Sequence, residues 1–381
     1  MRSWVLVWTI GLLWLGWTTS GRAQEQPADK QDAPAGYEFT IEVDVTRMPV
    51  KSQDNTGTCW SFATASFLES EFMRMGKGPH DLSEMFNVKN VYQDKARNFY
   101  LRQGKANFSE GALAHDYLNA AQRYGLVPNE VYSGLRGGNA RHDHGEMVAM
   151  LEAVLNTAVK RGRVSENWWG VFQHTLDIYL GESPGEFSYQ GQVFTPQTFA
   201  EYLGFDADHY VHLTSYSHHP FGRPFVLEIP DNFSNGSFLN VPIDELEAIV
   251  DRALDAGFTV CWDGDVSERG FLRDKGIAVM PAQENSREFM RSPVEELSVD
   301  QALRQKTFEN LSTTDDHLMH LVGRGHDQNG VKYYLIKNSW GEVGEHRGML
   351  YMSQSYFRLK TVAISVHRDA VQHEGTTPSG E

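Results

Sequence analysis

The stretch Gln53–Phe62 has the sequence QDNTGTCWSF, and it carries the strongest structural signal in the chain. Cys59 follows a polar loop and begins a run in which Trp60, Ala63 and Phe67 recur at helical spacing. This pattern predicts that Cys59 lies at a helix N-terminus, where free N–H groups and the helix dipole stabilise a thiolate. Cys59 is therefore a candidate nucleophile.

Three further residues supply the groups that a cysteine nucleophile needs. His317 stands at the head of an apolar, strand-like run, and Asn338 follows 21 positions later. An Asn oxygen can hold an imidazole in one tautomer, so His317 is the candidate base and Asn338 the residue that orients it. Gln53, on the loop before Cys59, is a candidate oxyanion donor together with the Cys59 N–H.

These residues resemble the motifs of papain-like cysteine peptidases. Gln53–Phe62 is similar to their Q-x-x-x-G-x-C-W loop, Asp316-His317 to their D-H-A block and Lys337–Gly341 to their N-S-W-G block. The resemblance assigns Cys59 as nucleophile, His317 as general base and acid, Asn338 as orienting residue and Gln53 as oxyanion donor. It implies an α+β fold of two lobes, one helical and one rich in β-strands.

The spacing of the motifs narrows the resemblance to one branch. His317 lies 258 positions after Cys59, whereas about 130–150 positions are usual in papain-like chains. Only 35 residues lie between Ala23 and Cys59, too few for a long inhibitory pro-domain. A papain-like core with a large helical insertion and no pro-domain resembles the bleomycin hydrolase/aminopeptidase C branch, in its secreted bacterial form. The resemblance covers roughly residues 38–370 and implies aminopeptidase activity.

The pattern of the chain predicts six segments. They are a signal peptide (1–23), a linker (24–37), the first part of the peptidase core with the nucleophile helix (38–135), a mainly helical insertion (136–256), a β-rich part with His317 and Asn338 (257–370) and a flexible tail (371–381).

The first 23 residues have the features of a secretory signal peptide. Arg2 provides a basic start, the range 4–17 is an uncharged apolar run, and the range 20–23 offers small residues for cleavage. The apolar run is too short to span a membrane comfortably, although an uncleaved anchor is the alternative. We therefore expect a secreted or periplasmic protein, with no stable membrane span in the mature chain.

Composition excludes several other classes of protein. Hydrophobic residues make up 40% of the 381 positions, which is ordinary for a globular chain and excludes general disorder. The formal charge of −16 argues against nucleic-acid partners, because an acidic surface repels phosphates. Peptide substrates are the expected partners. A homo-oligomer is also compatible with the resemblance, since cytosolic members of the branch are associated with hexamers.

Competing interpretations exist for some of these residues. Cys59 and Cys261 could form a disulfide, but Cys261 lies in an apolar run and is predicted to be a small core residue. His320 is a rival to His317 as the base, on the opposite face of the same strand. His218-His219 is predicted to be a surface or loop pair, because the chain contains no zinc-binding motif. We expect no metal and no organic cofactor.

The sequence thus predicts a cysteine-type peptidase that hydrolyses peptide bonds through a Cys59 thioester. An aminopeptidase is favoured. In the resembled branch the C-terminus lies in the cleft and selects free N-termini, but the range 377–381 does not resemble that ending. An endopeptidase with an open cleft therefore remains the alternative. A non-catalytic peptide-binding protein and an acyl- or peptidyl-transferase remain further alternatives.

Overall fold

The computed structural model describes residues 36–283 and 285–371. The predicted signal peptide, nearly all of the predicted linker and most of the predicted tail lie outside the described residues. The described part from Gly36 onward clusters as one unit. The segment boundaries predicted inside it, at 135/136 and 256/257, stay predictions.

The helices account for the apolar, 3.6-periodic segments of the sequence. They are α1 (Cys59–Arg74), α2 (Glu84–Leu101), α3 (Ala114–Tyr124), α4 (Gly145–Arg161), α5 (Asn167–Leu180), α6 (Pro196–Leu203), α7 (Ile243–Asp255), α8 (Gln301–Glu309) and α9 (Gln354–Lys360). Short 3₁₀ turns occur at Ala207–His209, Arg273–Lys275, Glu288–Met290 and Arg368–Ala370.

The strands lie mostly in the second half of the chain. They are β1 (Phe39–Asp44), β2 (Phe187–Tyr189), β3 (Gln192–Phe194), β4 (Tyr210–Thr214), β5 (Pro224–Val226), β6 (Ser237–Asn240), β7 (Val260–Gly264), β8 (Phe271–Leu272), β9 (Ile277–Ala278), β10 (His317–Asp327), β11 (Lys332–Lys337), β12 (Met349–Ser353) and β13 (Thr361–His367). The segment predicted as a mainly helical insertion therefore also contains five short strands, β2 to β6.

One large sheet organises the β-rich part of the molecule. Its strand order is β5-β6-β4-β13-β7-β10-β11-β12-β9-β8, and β1 pairs with β10 outside this path. The long strand β10 lies between β7 and β11 and is antiparallel to both. His317, its first residue, lies opposite Gly264. His317, the candidate base, therefore lies at the N-terminal end of a central strand of the sheet.

Alternate residues of β10 pack into two different cores. Leu318 belongs to the core that is formed mainly by helices α1 to α6. Met319 and Leu321 belong to a second core, built by the sheet with α7 and α9. Because successive side chains of a strand point to opposite faces, β10 is shared between the two lobes. The nucleophile helix α1 packs on one of these faces, where Ser66 bonds His320 over 2.8 Å.

Within the described ranges, no helix has both the length and the apolar composition needed to cross a membrane.

Candidate active site

Cys59 is the first residue of α1, as the sequence predicted. Its side chain is 8% exposed, and the residue before it, Thr58, is the N-cap. The first N–H groups of a helix have no partner within the helix, so the Cys59 N–H is available to a ligand. The backbone N–H of Leu318, the residue after His317, donates to the Cys59 sulfur. This bond joins the nucleophile helix to the head of β10.

The surroundings of Cys59 oppose the stabilised thiolate that the sequence predicts. Burial, with a smaller contribution from the charges of Asp315, Asp263 and Asp231, raises the pKa of Cys59 to about 12, although the hydrogen bond from the Leu318 N–H acts in the opposite direction. Burial likewise lowers the pKa of His317 to about 4. Desolvation thus opposes the helix dipole at Cys59, and it favours the neutral form of both groups. Such a pair works by transferring the thiol proton to the imidazole during attack.

His317 is held by Asn338, as the sequence predicted, and by Trp340. Its Nε2–H donates to Asn338 Oδ1 over 2.8 Å, and the Ser339 N–H donates to the same oxygen over 2.7 Å. The ring stacks on Trp340, with centroids 4.7 Å apart and an interplanar angle of 27°. Because the Nε2–H of His317 is hydrogen-bonded to Asn338, its Nδ1 is the nitrogen that can accept a proton.

Gln53 lies in the same site and is fixed by a residue that the sequence analysis did not single out. Its Oε1 accepts from Ser339 Oγ over 2.7 Å, while its Nε2 donates to Thr56 O over 2.6 Å. An amide nitrogen carries two hydrogens, so one remains for a ligand. The Gln53 N–H also donates to Ser339 O over 2.8 Å. The N-S-W-G block thus positions both the base and the oxyanion donor.

Glu110 is a second residue missed by the sequence analysis. Its Oε2 accepts from the Gly57 N–H over 2.7 Å, and its carbonyl accepts from Trp60 Nε1 over 2.9 Å. A Cβ at Gly57 would come within 2.8 Å of Glu110 Cβ, so this approach requires glycine. Glu110 therefore fixes the 109–112 segment beside Cys59. The spacing of the motifs gives no indication that Glu110 contacts Gly57 and Trp60.

Three of the four candidate residues open onto one cleft of about 490 Å³. Cys59, His317 and Gln53 line it, together with Leu318. Five of the other lining residues are acidic, namely Glu110, Glu152, Asp231, Asp315 and Asp316, and none of the described residues that line it is Lys or Arg. A separate depression of about 790 Å³, lined by Trp340, contains both Arg141 and Arg273 and the acids Asp54 and Asp143. The strongly acidic character therefore belongs to the Cys59 cleft.

The competing candidates have structural roles. His320 is fully buried and its Nδ1 contacts Ser66 of α1 over 2.8 Å, so it faces away from the cleft. Both cysteines are free. Cys261 is 1% exposed and its sulfur lies 3.7 Å from Thr64 Oγ1, which confirms the prediction of a small core residue.

His218 and His219 meet Glu228 at the surface, in an arrangement that resembles a metal site. Glu228 accepts from His219 Nε2 over 2.7 Å and lies 3.2 Å from His218 Nε2. However, Gln305 Oε1 is held by the Ser217 N–H, so Gln305 Nε2 must donate to His218 Nδ1. That bond keeps the proton of His218 on Nε2, where a metal would have to bind. The group is therefore a hydrogen-bonded surface cluster.

The profile of one protein family matches more than half of the chain. It is that of the Peptidase C1-like family, and the match spans residues 173–378, which include His317 and Asn338. The chain belongs to the Peptidase C1-like family. The protein is a cysteine peptidase, and the motif resemblance noted in the sequence is confirmed at the level of the family.

Curated relatives of this C1-like peptidase extend the match over most of the chain. Aminopeptidase G of Lactobacillus delbrueckii subsp. lactis is 24% identical, over 84% of this chain and 80% of its own. Aminopeptidase C of Lactococcus lactis subsp. lactis (strain IL1403) is 25% identical, over 88% and 84%. Human bleomycin hydrolase is 21% identical, over 86% and 81%. These relatives confirm the predicted branch.

A solved structure supports the fold of the C1-like peptidase. The crystal structure of PepW from Lactobacillus rhamnosis HN001 superposes with a TM-score of 0.72 and covers 87% of this chain and 82% of its own. At 18% identity this likeness concerns the fold alone. The predicted α+β papain-like architecture is therefore confirmed.

Proposed function

We propose that this C1-like peptidase is an aminopeptidase that hydrolyses peptide bonds through a thioester on Cys59. The observation that supports this best is the bond from His317 Nε2 to Asn338 Oδ1. It leaves Nδ1 of His317 free in the cleft that Cys59 and Gln53 also line. A nucleophile, an oriented base and an oxyanion donor thus share one cavity.

The proposed reaction begins with a neutral thiol and a neutral imidazole. His317 Nδ1 takes the thiol proton as the Cys59 sulfur attacks the peptide carbonyl carbon, which converts the carbonyl oxygen to an oxyanion. Gln53 Nε2–H and the Cys59 N–H donate to this oxyanion. His317 then gives the proton to the leaving amine, and the thioester forms. Water, deprotonated by His317, attacks the thioester and regenerates the thiol.

The relatives support the preference for free N-termini, because those from Lactobacillus and Lactococcus are named aminopeptidases. The test is the hydrolysis of one fluorogenic aminoacyl substrate, first with its N-terminus free and then acetylated. Cleavage of the free form alone supports an aminopeptidase, and equal cleavage of the acetylated form would show an open-cleft endopeptidase. Cys59→Ala is the control, since turnover by this variant would reject the nucleophile.

We also propose that the protein is exported to the periplasm or the medium, on the basis of the signal-peptide features of residues 1–23. N-terminal sequencing of protein from the extracytoplasmic fraction tests this. A new N-terminus near residue 24 is expected, whereas an intact Met1 would contradict cleavage. A homo-oligomer is carried over as a hypothesis from the resembled branch, and sedimentation velocity at micromolar concentration tests it.

A further inference from the structure

A second cavity beside the Cys59 cleft contains two cations that the proposed reaction does not use. It is the depression of about 790 Å³ that Trp340 lines, and the side chains of Arg141 and Arg273 lie on its wall. We call it the arginine depression. Neither guanidinium group has a hydrogen-bond or ion-pair partner among the described residues. Each guanidinium carries five N–H donors in a planar fork, so the two groups can receive an anion that a ligand supplies.

Two acids also line the arginine depression, but their oxygens are occupied by other donors. Asp54 Oδ1 accepts from Ser52 Oγ over 2.9 Å, and its Oδ2 accepts from the His142 N–H over 3.0 Å. Asp143 Oδ1 accepts from the Gly145 N–H over 3.1 Å. These bonds hold two loops against each other and do not involve the guanidinium groups. The arginines therefore remain available to a carboxylate from outside the chain.

The backbone on which Arg141 stands is fixed to the loop that carries Gln53. The Asn55 N–H donates to His142 O over 3.1 Å, and the His144 N–H donates to Asn55 O over 3.3 Å. Arg141 directly precedes this paired stretch, and its side chain is exposed. Its guanidinium group thus starts from a fixed point beside the oxyanion donor and is free to close on a ligand.

Arg273 is placed by the indole ring that covers the candidate base. Its guanidinium carbon lies 5.0 Å from the centroid of the Trp340 ring, and the same ring stacks on His317 with centroids 4.7 Å apart. A cation–π contact fixes the guanidinium group and leaves most of its N–H donors for a ligand. Arg273 is therefore joined through one ring to the residue that protonates the leaving amine.

The arginine depression adjoins the Cys59 cleft on the side of the leaving group. Gln53 lines the cleft, and its neighbour Asp54 lines the depression. His317 lines the cleft, and Trp340, stacked on it, lines the depression. In the proposed reaction the acyl half of the substrate is bonded to Cys59, while His317 gives its proton to the leaving amine. The residues after the scissile bond therefore continue past His317 toward Trp340.

The charges of the two cavities assign a carboxylate to the leaving half of the substrate. Among the described residues that line them, Lys and Arg occur in the arginine depression alone, and five acids line the Cys59 cleft. A carboxylate on the acyl half would be repelled by those acids, whereas a carboxylate on the leaving half would meet two guanidinium groups. The charge pattern thus sets the direction in which an acidic peptide binds.

We propose that Arg141 and Arg273 bind a carboxylate on the leaving half of the substrate, so that the enzyme prefers peptides with a carboxylate after the scissile bond. This inference deepens the proposed function and rests on it. The carboxylate comes from the C-terminus of a short peptide or from an Asp or Glu side chain, since both present two oxygens that a guanidinium fork matches.

The test measures binding in the Cys59→Ala background by calorimetry, so that it does not depend on turnover. The first pair of probes is Ala-Ala-Ala and Ala-Ala-Ala-NH₂, which differ in the C-terminal carboxylate. The second pair is Ala-Glu-Ala-NH₂ and Ala-Gln-Ala-NH₂, which differ in the side chain after the scissile bond. In at least one pair the carboxylate member is expected to bind at least about tenfold more tightly, the effect of a charge-assisted hydrogen bond. The pair that shows this ratio identifies the source of the carboxylate.

Arg141→Gln and Arg273→Gln, each added to Cys59→Ala, are expected to reduce that ratio to below about threefold. Arg163→Gln is the matched control and should keep the ratio, because Arg163 is also exposed but lines neither cavity. Circular dichroism verifies that each variant is folded, and either of the two test variants suffices. A smaller ratio than tenfold in both pairs of probes would overturn the proposal. So would a ratio that stays above threefold in a folded test variant, or one that Arg163→Gln reduces equally.

The failures of the two proposals can be told apart. If the wild-type protein hydrolyses no peptide while Cys59→Ala binds carboxylate probes selectively through Arg141, the reaction is wrong and the carboxylate site stands. If the wild-type protein hydrolyses peptides and Cys59→Ala does not distinguish the members of either pair, the reaction stands and the carboxylate site is wrong.

Discussion

The Ser339 hydroxyl donates a 2.7 Å hydrogen bond to Gln53 Oε1 and so connects the two halves of the site. Ser339 follows Asn338, which accepts from His317 Nε2, whereas Gln53 lies on the loop before the nucleophile helix. The amide of Gln53 has one correct orientation for an oxyanion donor, with Nε2 toward the cleft. Ser339 selects this orientation, because a hydroxyl that donates must face the carbonyl oxygen of the amide.

Removal of this hydroxyl tests its positioning role. Ser339→Ala is expected to lower kcat by about 3–10-fold, the effect of one net hydrogen bond, and Gln53→Ala by about 10²–10³. The double variant should be no slower than Gln53→Ala, because Ser339 acts through Gln53. Ser355→Ala, which removes a bond to Leu297 O, is the control. Additive losses in the double variant would contradict the role.

Removal of the Asn338 side chain tests how His317 is oriented. Asn338→Ala deletes the acceptor of the His317 Nε2–H, so the tautomer with a free Nδ1 loses its support. We expect kcat to fall by at least about tenfold, with KM changed less than about twofold, since Asn338 is not among the residues that line the cleft. Steady-state kinetics on a free aminoacyl substrate measure both. An unchanged kcat would show that Trp340 stacking alone orients the ring.

The reactivity of Cys59 should increase with pH, because burial raises the pKa of its thiol. A pKa raised to about 12 means that the thiolate fraction of the enzyme keeps rising with pH. Alkylation by iodoacetamide should therefore increase steadily from pH 6 to pH 9. Asp231→Asn removes a negative charge that raises this pKa, so it should increase the rate at each pH. A plateau below pH 7 would instead reveal a thiolate–imidazolium pair.

A buried ion pair near the cleft should contribute to stability. Lys360 Nζ lies 3.1 Å from Asp265 Oδ2, and their side chains are 1% and 0% exposed. Lys360→Met leaves Asp265 buried without its cation and should reduce the free energy of unfolding by about 3–5 kcal/mol. Lys275→Met is the control, because its partner Glu345 is exposed and the expected loss is below about 1 kcal/mol. Urea unfolding measures both, and equal losses would contradict the argument.

Local sequence patterns predicted those helices and strands whose own residues specify their structure. The helix predicted to begin at Cys59 and the strand predicted to begin at His317 are α1 and β10, since helical spacing and an uninterrupted apolar run are strong signals. The short strands β2 to β6 were not predicted. β5 and β6 are three and four residues long and join the sheet only through β4 and β13. Such strands are specified by their partners, which periodicity does not reveal.

The candidate site likewise contains residues that the sequence predicted and residues that it did not. The residues of the motifs were predicted, and the structure brings Cys59, His317, Asn338 and Gln53 together. Asp231 and Asp263 were not found, because they lie 172 and 204 positions after Cys59 with no motif around them. The thiolate stays a prediction, since the sequence shows the helix dipole that favours it but does not show the burial that opposes it.

The central claim is that Cys59, activated by His317, is the nucleophile of this peptidase. Its most direct test is covalent labelling with an alanyl chloromethyl ketone, followed by peptide mapping and assay of residual hydrolysis. We predict one adduct, on Cys59, with activity lost in proportion to labelling, no adduct on the buried Cys261, and much slower labelling of His317→Ala. Hydrolysis that persists in fully labelled protein, or an adduct that forms on Cys261 instead, would contradict the account.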